Sequence, residues 1–470
     1  MFSNIINSER RDGGSAAARA IDPRTKKELW DVPVANEKDL NDAVFAAREA
    51  FKSWKLTSAD DRQKCLFRVA DELEARRGEM CPVLAKETGK SDLLANMEID
   101  DTLKFIRFNA SQYLPDEVTY EDDELKIVST HPPLGVVGAI SPWNFPLVLA
   151  VAKIAAALVM GNSIVVKPSP LTPYATLKFA ELAIPILPSG VLQVLNGDND
   201  LGRLMTLHPG IDKISFTGST ATGKKVAESA SRSLKRVTLE LGGNDASIVC
   251  PDVDVESVTR KVAAGAFFHS GQMCVASKRV YVHRDIFAKF REIFVDAVKD
   301  TVIDASGQQP TLFSPMQNEM QYRIVKGLID DSKEKGYNVI CGGDTTEEQP
   351  GLFIRPTVVD RPPDDSKIVT MEQFGPIIPL CEWSSEDELV TRVNDTDSGL
   401  GSCVWSGDGG TAERIARKLE VGTVWINSFG IPHPHGYFSG WKQSGLGGEW
   451  GRQGLLSYCH TQTLQIYKQT

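Results

Sequence analysis

From Val136 to Gly243 the sequence alternates short β-branched runs with helical stretches, and few architectures accept that pattern. Val136-Val137-Gly138-Ala139-Ile140 reads as a strand, and the apolar run Leu147 to Met160 as a buried helix. Ile164-Val165-Val166 is the next strand, followed by a helix with Thr172 as N-cap and Pro173 in its first turn. Val191 to Leu195 is a strand with a short helix after Asp198; Lys213 to Phe216 is another, with a helix over Thr220 to Ser231; Val237 to Glu240 is the fifth. Strands that alternate with helices pair in parallel, because each helix carries the chain back across one face of the sheet. The expected fold class is therefore α/β, with a doubly wound parallel sheet. Such sheets bind ligands outside the carboxyl ends of their strands.

The chain of 470 residues exceeds one ordinary core, and two domains of about 150 to 250 residues are expected. After Gly243 the alternation restarts at Ser247-Ile248-Val249, and a helix carrying Val258, Val262, Ala263 and Phe267 follows. More α/β sequence runs to Trp425, so a boundary is placed near residue 243. Residues 1 to 35 read as irregular, with turn signals at Gly13-Gly14 and Asp22-Pro23. Asn36 is the expected N-cap of a helix whose inner face is Leu40, Val44, Ala47 and Phe51; a second helix carries Leu66, Val69, Ala70 and Leu73. Between Pro115 and His131, Val118-Thr119-Tyr120 and Leu125 to Val128 read as a hairpin around the charged turn Glu121-Asp122-Asp123, either a loop or an oligomerisation arm.

The net charge of −10 argues against a nucleic-acid or anionic-membrane surface. Leu147 to Met160 contains Lys153 and is too short to span a bilayer. The 8 cysteines are irregularly spaced and form no C-x-x-C pair, so neither a disulfide framework nor a zinc site is expected. The first residues include Glu9, Arg10, Arg11 and Asp12 and no apolar run, which is unlike a secretory signal. A reducing, cytoplasmic setting is expected.

One cysteine stands apart. Cys274 lies in Phe268-His269-Ser270-Gly271-Gln272-Met273-Cys274-Val275, where Gly271 and Gln272 suit a close approach to a ligand. Three further stretches accompany it: Ser141-Pro142-Trp143-Asn144-Phe145-Pro146, Leu239-Glu240-Leu241-Gly242-Gly243 and Glu372-Gln373-Phe374-Gly375-Pro376. Together they resemble the aldehyde dehydrogenase superfamily, and the resemblance runs from about residue 20 to near the C-terminus, with its signatures in order. It implies that Cys274 attacks an aldehyde as thiolate. The Asn144 amide and the Cys274 backbone N–H would then stabilise the oxyanion, and Glu240 would activate the water that cleaves the resulting thioester. Glu449, in Ser444 to Glu449, looks like a proton-relay partner. Lys153 resembles a family lysine near the cofactor, although a lysine within a helix could equally extend to solvent.

No G-x-G-x-x-G follows any strand. Instead Phe216 to Lys224 runs from strand into helix, and its two glycines and the helix N-terminus suit a pyrophosphate. The string matches most of a P-loop, but Lys225 stands where that motif needs Ser or Thr. Phe216-Thr217-Gly218-Ser219 is similar to the family's cofactor loop, which implies NAD. By the same resemblance the cofactor residues are Ile140, Ser141, Pro142 and Trp143 after one strand, Lys167 and Ser169 after the next, and Gly197. They continue with Thr217, Gly218, Ser219, Thr220, Gly223 and Leu241. Lys167 would contact the adenine ribose; Glu372 would hold the nicotinamide ribose, with Phe374 beside it. Many NAD-preferring members have a glutamate where this chain has Pro170; such an acid binds ribose hydroxyls and repels a 2′-phosphate, so NADP stays open.

Asn427 is expected at the mouth of the site, and the loop Phe429 to Phe438 around the substrate. Met273 and Val275 suggest an apolar pocket, and Trp143 and the Phe429 to Phe438 loop allow an aliphatic or aromatic aldehyde. His433 and His435 have no accompanying cysteine or carboxylate, and no metal is expected. The family implies a homodimer or homotetramer. It divides the chain into a cofactor domain (1–114 and 132–242), an α/β catalytic domain (243–445) and a small β bridging element (115–131 and 455–470). A coenzyme A-acylating semialdehyde dehydrogenase is the alternative, which Glu240 argues against. A binding or structural protein on the same scaffold is a third, weaker reading, since Cys274, Glu240, Asn144 and Glu372 are all present.

Overall fold

A computed structural model describes residues 2–12, 17–344 and 350–468. The turn signal at Gly13-Gly14 lies outside them. The alternating segment forms a parallel sheet in the spatial order Leu192–Val194, Ser163–Lys167, Val136–Ile140, Lys213–Thr217, Arg236–Glu240. The chain therefore builds outward from Val136–Ile140 in one direction, then returns past it, and the order reverses between Val136–Ile140 and Lys213–Thr217. Helices on each side of such a reversal diverge and leave a crevice at the carboxyl ends.

The N-terminal segment corrects the sequence reading. Residues expected to be irregular form a strand, Asn4–Ile6, which pairs antiparallel with the sheet edge at Val194, and a hairpin of Ala17–Ile21 with Glu28–Pro33. Three-residue strands have no period of their own, and their backbone partners come from an edge far away in sequence.

Helix starts show the same division between local and distant control. Asn36 caps Glu37–Trp54 in a capping box with Asp39, as its sequence suggests. Thr172 does not cap the next predicted helix. Pro173 holds that position, and Thr172 Oγ1 donates to the Trp143 carbonyl at 3.4 Å. The free N–H groups of Tyr174 and Ala175 donate instead to the buried Glu87 carboxylate at 2.8 and 2.9 Å. Pro146–Val159 also lacks a side-chain cap of its own; buried Glu98 accepts from Leu147 and Val148 at 2.9 and 3.2 Å. A carboxylate at a helix N-terminus meets both unpaired donors and the positive end of the dipole.

A second sheet is parallel in the order Thr357–Asp360, Ile377–Trp383, Arg279–His283, Ala246–Val249, Gly401–Trp405, Thr423–Ile426, with Asn338–Cys341 antiparallel at one edge. Gly445–Leu446 returns to pair with Arg236–Glu240, tying the two sheets together beside Glu240. Glu117–Glu121, Leu125–Thr130 and Gln462–Tyr467 form a separate antiparallel sheet whose last strand is wholly exposed. No helix among the described residues is long and apolar enough to cross a membrane.

Candidate active site

Cys274 follows the helix Val255–Phe267. The chain reaches it through three left-handed residues, His269, Ser270 and Gly271, at φ 48°, 56° and 73°. This backbone is costly for residues with a Cβ and persists only when its surroundings hold it. Ser270 donates to the Ser314 carbonyl, and His269 Nδ1 lies 2.6 Å from Ser314 Oγ. Gln272 Nε2 donates to the carbonyls of His269 (3.1 Å) and Pro315 (3.0 Å), while its Oε1 accepts the Gln317 N–H at 2.8 Å. Gly271 admits no side chain: a Cβ there would lie 2.6 Å from the Gly375 carbonyl oxygen. Cys274 is thus carried on a rigid turn.

Two cavities meet at its thiol, with Asn144 and Leu149 also shared by both. One is a cleft of about 210 Å³ at the carboxyl ends of Val136–Ile140 and Lys213–Thr217, where the strand order reverses. Pro142, Trp143, Thr217, Gly218, Ser219 and Leu241 line it, and Glu372 and Phe374 close it from the second sheet. Phe374 meets Trp143 edge-on at 5.4 Å, and Glu372 lies 3.1 Å from Lys278 Nζ and accepts from the Gly243 N–H at 3.2 Å. Gly242 is bare where Glu372 passes: a Cβ would come within 2.3 Å of its Oε2. Lys278 also donates to the Cys274 carbonyl, joining the Cys274 turn to Glu372.

The other predicted cofactor residues do not line this cleft. Ser141 ends the strand after Ile140; its N–H donates to the Lys167 carbonyl at 3.1 Å. Lys167 is buried, its Nζ donates to Pro168 O at 3.3 Å, and burial lowers its pKa to about 8. Ser169 Oγ accepts the Leu171 N–H at 3.2 Å, and Thr220 Oγ1 donates to Gln443 O at 3.3 Å. Gly197 packs on Leu201 and Gly223 on Leu241, close approaches that bring helix onto strand.

The second cavity is apolar, about 330 Å³, walled by the helices Asp92–Ala110 and Pro146–Val159 and by part of the loop after Asn427. Phe429, Gly430, Ile431, Pro432 and Phe438 line it, as do Met273 and Val275, in keeping with the sequence reading. Three details differ. Asn427 sits at φ 57° and uses its amide on Ser406 N and O, both at 3.0 Å, so it braces a strand end and does not face the pocket. Trp143 belongs to the first cleft. His433 and His435 pack ring to ring at 5.0 Å, and His435 lies against Phe108 at 4.5 Å. Among the described residues no group of three or more His, Cys, Asp or Glu could hold a metal ion.

Between the cavities lies the chemistry. Glu240 ends its strand buried, with Cys274 and Thr217 as polar neighbours; burial, opposed by the charge of Lys153, raises its pKa to about 7. One of its oxygens and the Thr217 hydroxyl have no hydrogen-bond partner among the described residues. Burial and the adjacent Glu240 push the Cys274 thiol well above its ordinary value. Asn144 Nδ2 donates to the Gln272 carbonyl at 3.0 Å, and the Asn144 carbonyl accepts from Lys90 Nζ at 2.8 Å. Lys153 does not reach solvent: its Nζ meets Glu449 Oε2 at 2.7 Å in the interior. Glu449 also accepts from Ser215 and, at 3.5 Å, from Tyr458. Burial raises the Glu449 pKa, but Lys153, Ser215 and Lys213 together outweigh it, and the carboxyl stays below its usual range.

Residues 11–464 match the model of the Aldehyde dehydrogenase family. The chain belongs to that family. It is 43% identical over 467 residues to a putative aldehyde dehydrogenase of Gibberella fujikuroi, covering 99% of both chains. It is 35% identical over 476 residues to retinaldehyde dehydrogenase 3 of Homo sapiens, covering 99% of this chain and 93% of that one. An aldehyde dehydrogenase from Bacillus cereus, solved as its NAD+ complex, superposes with a TM-score of 0.96 at 32% identity, covering 100% of this chain and 97% of that one. A betaine aldehyde dehydrogenase from Staphylococcus aureus, solved with NAD+ and a BME-modified cysteine, gives 0.95 at 31%, covering 99% and 97%.

Within this aldehyde dehydrogenase, sequence reasoning missed the residues that support the site. Lys90 and Glu98 form a wholly buried ion pair beneath Asn144, and Lys278 spans from the Cys274 turn to Glu372. Gln321 and Ile324 enter the cleft from the helix Glu319–Glu334. Nothing local marks them, because lysines and glutamates at helical spacing read equally as a solvated face.

Proposed function

We propose that this chain oxidises an aldehyde to its carboxylic acid with NAD+, through a thiohemiacetal and then a thioester on Cys274. The observation that carries the reading is the Cys274 thiol opening onto both cavities with the Glu240 carboxyl alongside. The first cleft suits a dinucleotide. It lies at the reversal of strand order, the Thr217 hydroxyl is buried there without a partner among the described residues, and Ser219 opens a helix of twelve residues, Thr220–Ser231. The two solved relatives above hold NAD+. Pro142, Trp143, Thr217, Gly218, Ser219 and Leu241 would hold the cofactor, with Glu372 on its ribose and Phe374 against its ring. When bound, it accepts the hydride that leaves the aldehyde carbon. Pro170 supplies no acid against a 2′-phosphate, so NADP is a second substrate for the same cleft.

The chain's own groups carry the remaining steps. Glu240, with a pKa of about 7, is half ionised near neutrality and takes the thiol proton as sulfur attacks the carbonyl carbon. The Asn144 amide has two N–H bonds; one is used by the Gln272 carbonyl, which leaves the other, with the Cys274 backbone N–H, for the oxyanion. Losing one such donor typically costs about 3 kcal/mol of barrier. After oxidation Glu240, having released the thiol proton to solvent as its pKa of about 7 allows, deprotonates the water that attacks the thioester, and its unpaired oxygen is the acceptor. Lys153 and Glu449 set the local charge that Glu240 feels. A carboxylate beside the thiol favours water over coenzyme A as the acyl acceptor.

In the same reading, residues 1–114 and 132–242 bind the cofactor and 243–445 carry the nucleophile. Residues 115–131 and 455–470 join copies into a homodimer or homotetramer. The exposed strand Gln462–Tyr467 presents Leu464, Ile466 and Tyr467 along an open edge, which favours association. The test is Cys274→Ala: aldehyde oxidation is abolished, while NAD+ affinity by calorimetry stays within about threefold, since the thiol is not among the groups that hold the dinucleotide. Full activity in that variant ends the proposal.

A further inference from the structure

We propose that the apolar pocket accepts uncharged, extended aldehydes, aliphatic or aromatic, and turns away those bearing a carboxylate or an ammonium group. This rests on the reading of Cys274 as the reacting atom. Four charged side chains line the pocket, and each has its own partner. Glu98 is paired with Lys90, Asp100 with Arg77 at 2.6 Å, and Asp101 with Lys104 at 2.9 Å. A substrate carboxylate therefore finds no free cation, and a substrate cation no free acid. An aromatic lining could still attract a cation through its ring faces. Here every lining ring but Trp425 already has a ring or ammonium partner among the described residues. Phe105 and Phe438 lie on Trp450 at 4.8 and 4.6 Å, Phe268 stacks on Phe145 at 6.3 Å, and the Lys90 ammonium sits 3.7 Å over the Phe145 ring. That ammonium also repels a second positive charge. The Trp425 N–H is satisfied by the Ile431 carbonyl at 3.0 Å and asks nothing of the substrate. What remains, apart from the Trp450 indole N–H, which has no partner among the described residues and can take a neutral acceptor, is hydrocarbon surface leading to Asn144 and Cys274.

The volume sets the length. A dry cavity of about 150 Å³ holds one benzene ring, and this pocket, at about 330 Å³, is roughly twice that size. It therefore holds a chain on the order of ten to twelve carbons, or two fused rings. Each methylene buried should raise kcat/KM by about three- to fourfold until the pocket is full.

The experiment measures kcat/KM for n-alkanals from propanal to tetradecanal, with succinic semialdehyde and trimethylammonioacetaldehyde as charged probes. In parallel, calorimetry gives the affinity of the unmodified enzyme for the matching n-alkanamides, which cannot be oxidised. The expected result is a rise of about threefold per methylene to a plateau near ten to twelve carbons, with both charged aldehydes at least ~100-fold below hexanal. A flat alkanal series, or a charged aldehyde used as well as hexanal, overturns the assignment. Should no aldehyde be oxidised, the proposed reaction fails. The alkanamides then still decide the pocket: affinity climbing with chain length supports it, and no dependence on length overturns it.

Discussion

Glu240→Gln separates what this residue does for the reaction from what it does to the fold. The folded-state pKa of about 7 lies above the ordinary 4.5, because burial disfavours the charge. The folded protein thus holds this proton more tightly than the unfolded chain. Its contribution to stability is fully present below pH 4.5 and is lost as pH rises through about 7, where the native carboxyl must ionise in the interior. The difference corresponds to about 3 kcal/mol at 1.36 kcal/mol per pH unit. Glutamine cannot ionise and escapes the loss. With an unfolding entropy of about 1 kcal/mol/K for a chain this long, the variant should melt about 3 °C above wild type at pH 8 and within about 1 °C of it near pH 5. Scanning calorimetry across that range reads the difference. Glutamine is also no base for thiol or water, so NADH should appear as one slowed burst per active site, with steady turnover down about 10² to 10⁴-fold. A melting difference that ignores pH refutes the assignment of a buried, reluctantly ionised carboxyl. Unchanged steady turnover removes Glu240 from thioester hydrolysis.

Other perturbations test the surroundings. Lys153→Met leaves Glu449 buried without its partner and should cost about 3–5 kcal/mol, read as a lower Tm; adding Glu449→Leu should recover most of it. Gly271→Ala forces a side chain onto the Gly375 carbonyl at a φ of 73° and should cost at least about 2 kcal/mol, with a lower kcat because the turn carrying Cys274 shifts. Wild type should use NAD+ and NADP+ with KM values within about tenfold. Exposed Pro170→Glu should raise the KM for NADP+ by more than about tenfold and change that for NAD+ little, measured by initial rates.

Much of the site was legible because its parts lie at element ends with unmistakable local signatures. Glu240 ends a strand before two glycines, Thr217 and Gly218 join a strand to a helix, and Cys274 follows a glycine turn. Where the reading erred, the deciding partner was remote in sequence. Thr172 was favoured as a cap by composition, yet Glu87 supplies the carboxylate. Asn427 stands at a strand end like a site residue, yet Ser406 takes both ends of its amide. Lys153 had two open fates, and only the position of Glu449 selects between them.

Strand and helix alternation, and the residue types needed for acyl chemistry at a thiol, are properties of short windows, so the chain alone determined the α/β class and put forward the candidate reacting groups. Which of those groups touch, how far ionisation is suppressed and what the pocket excludes depend on side chains well separated along the chain. Lys90 beneath Asn144, Lys278 reaching Glu372 and Arg77 neutralising Asp100 emerged only when helices and sheets packed. The reason is that charge in a dry interior is governed by distance in space, and backbone geometry by neighbours along the chain.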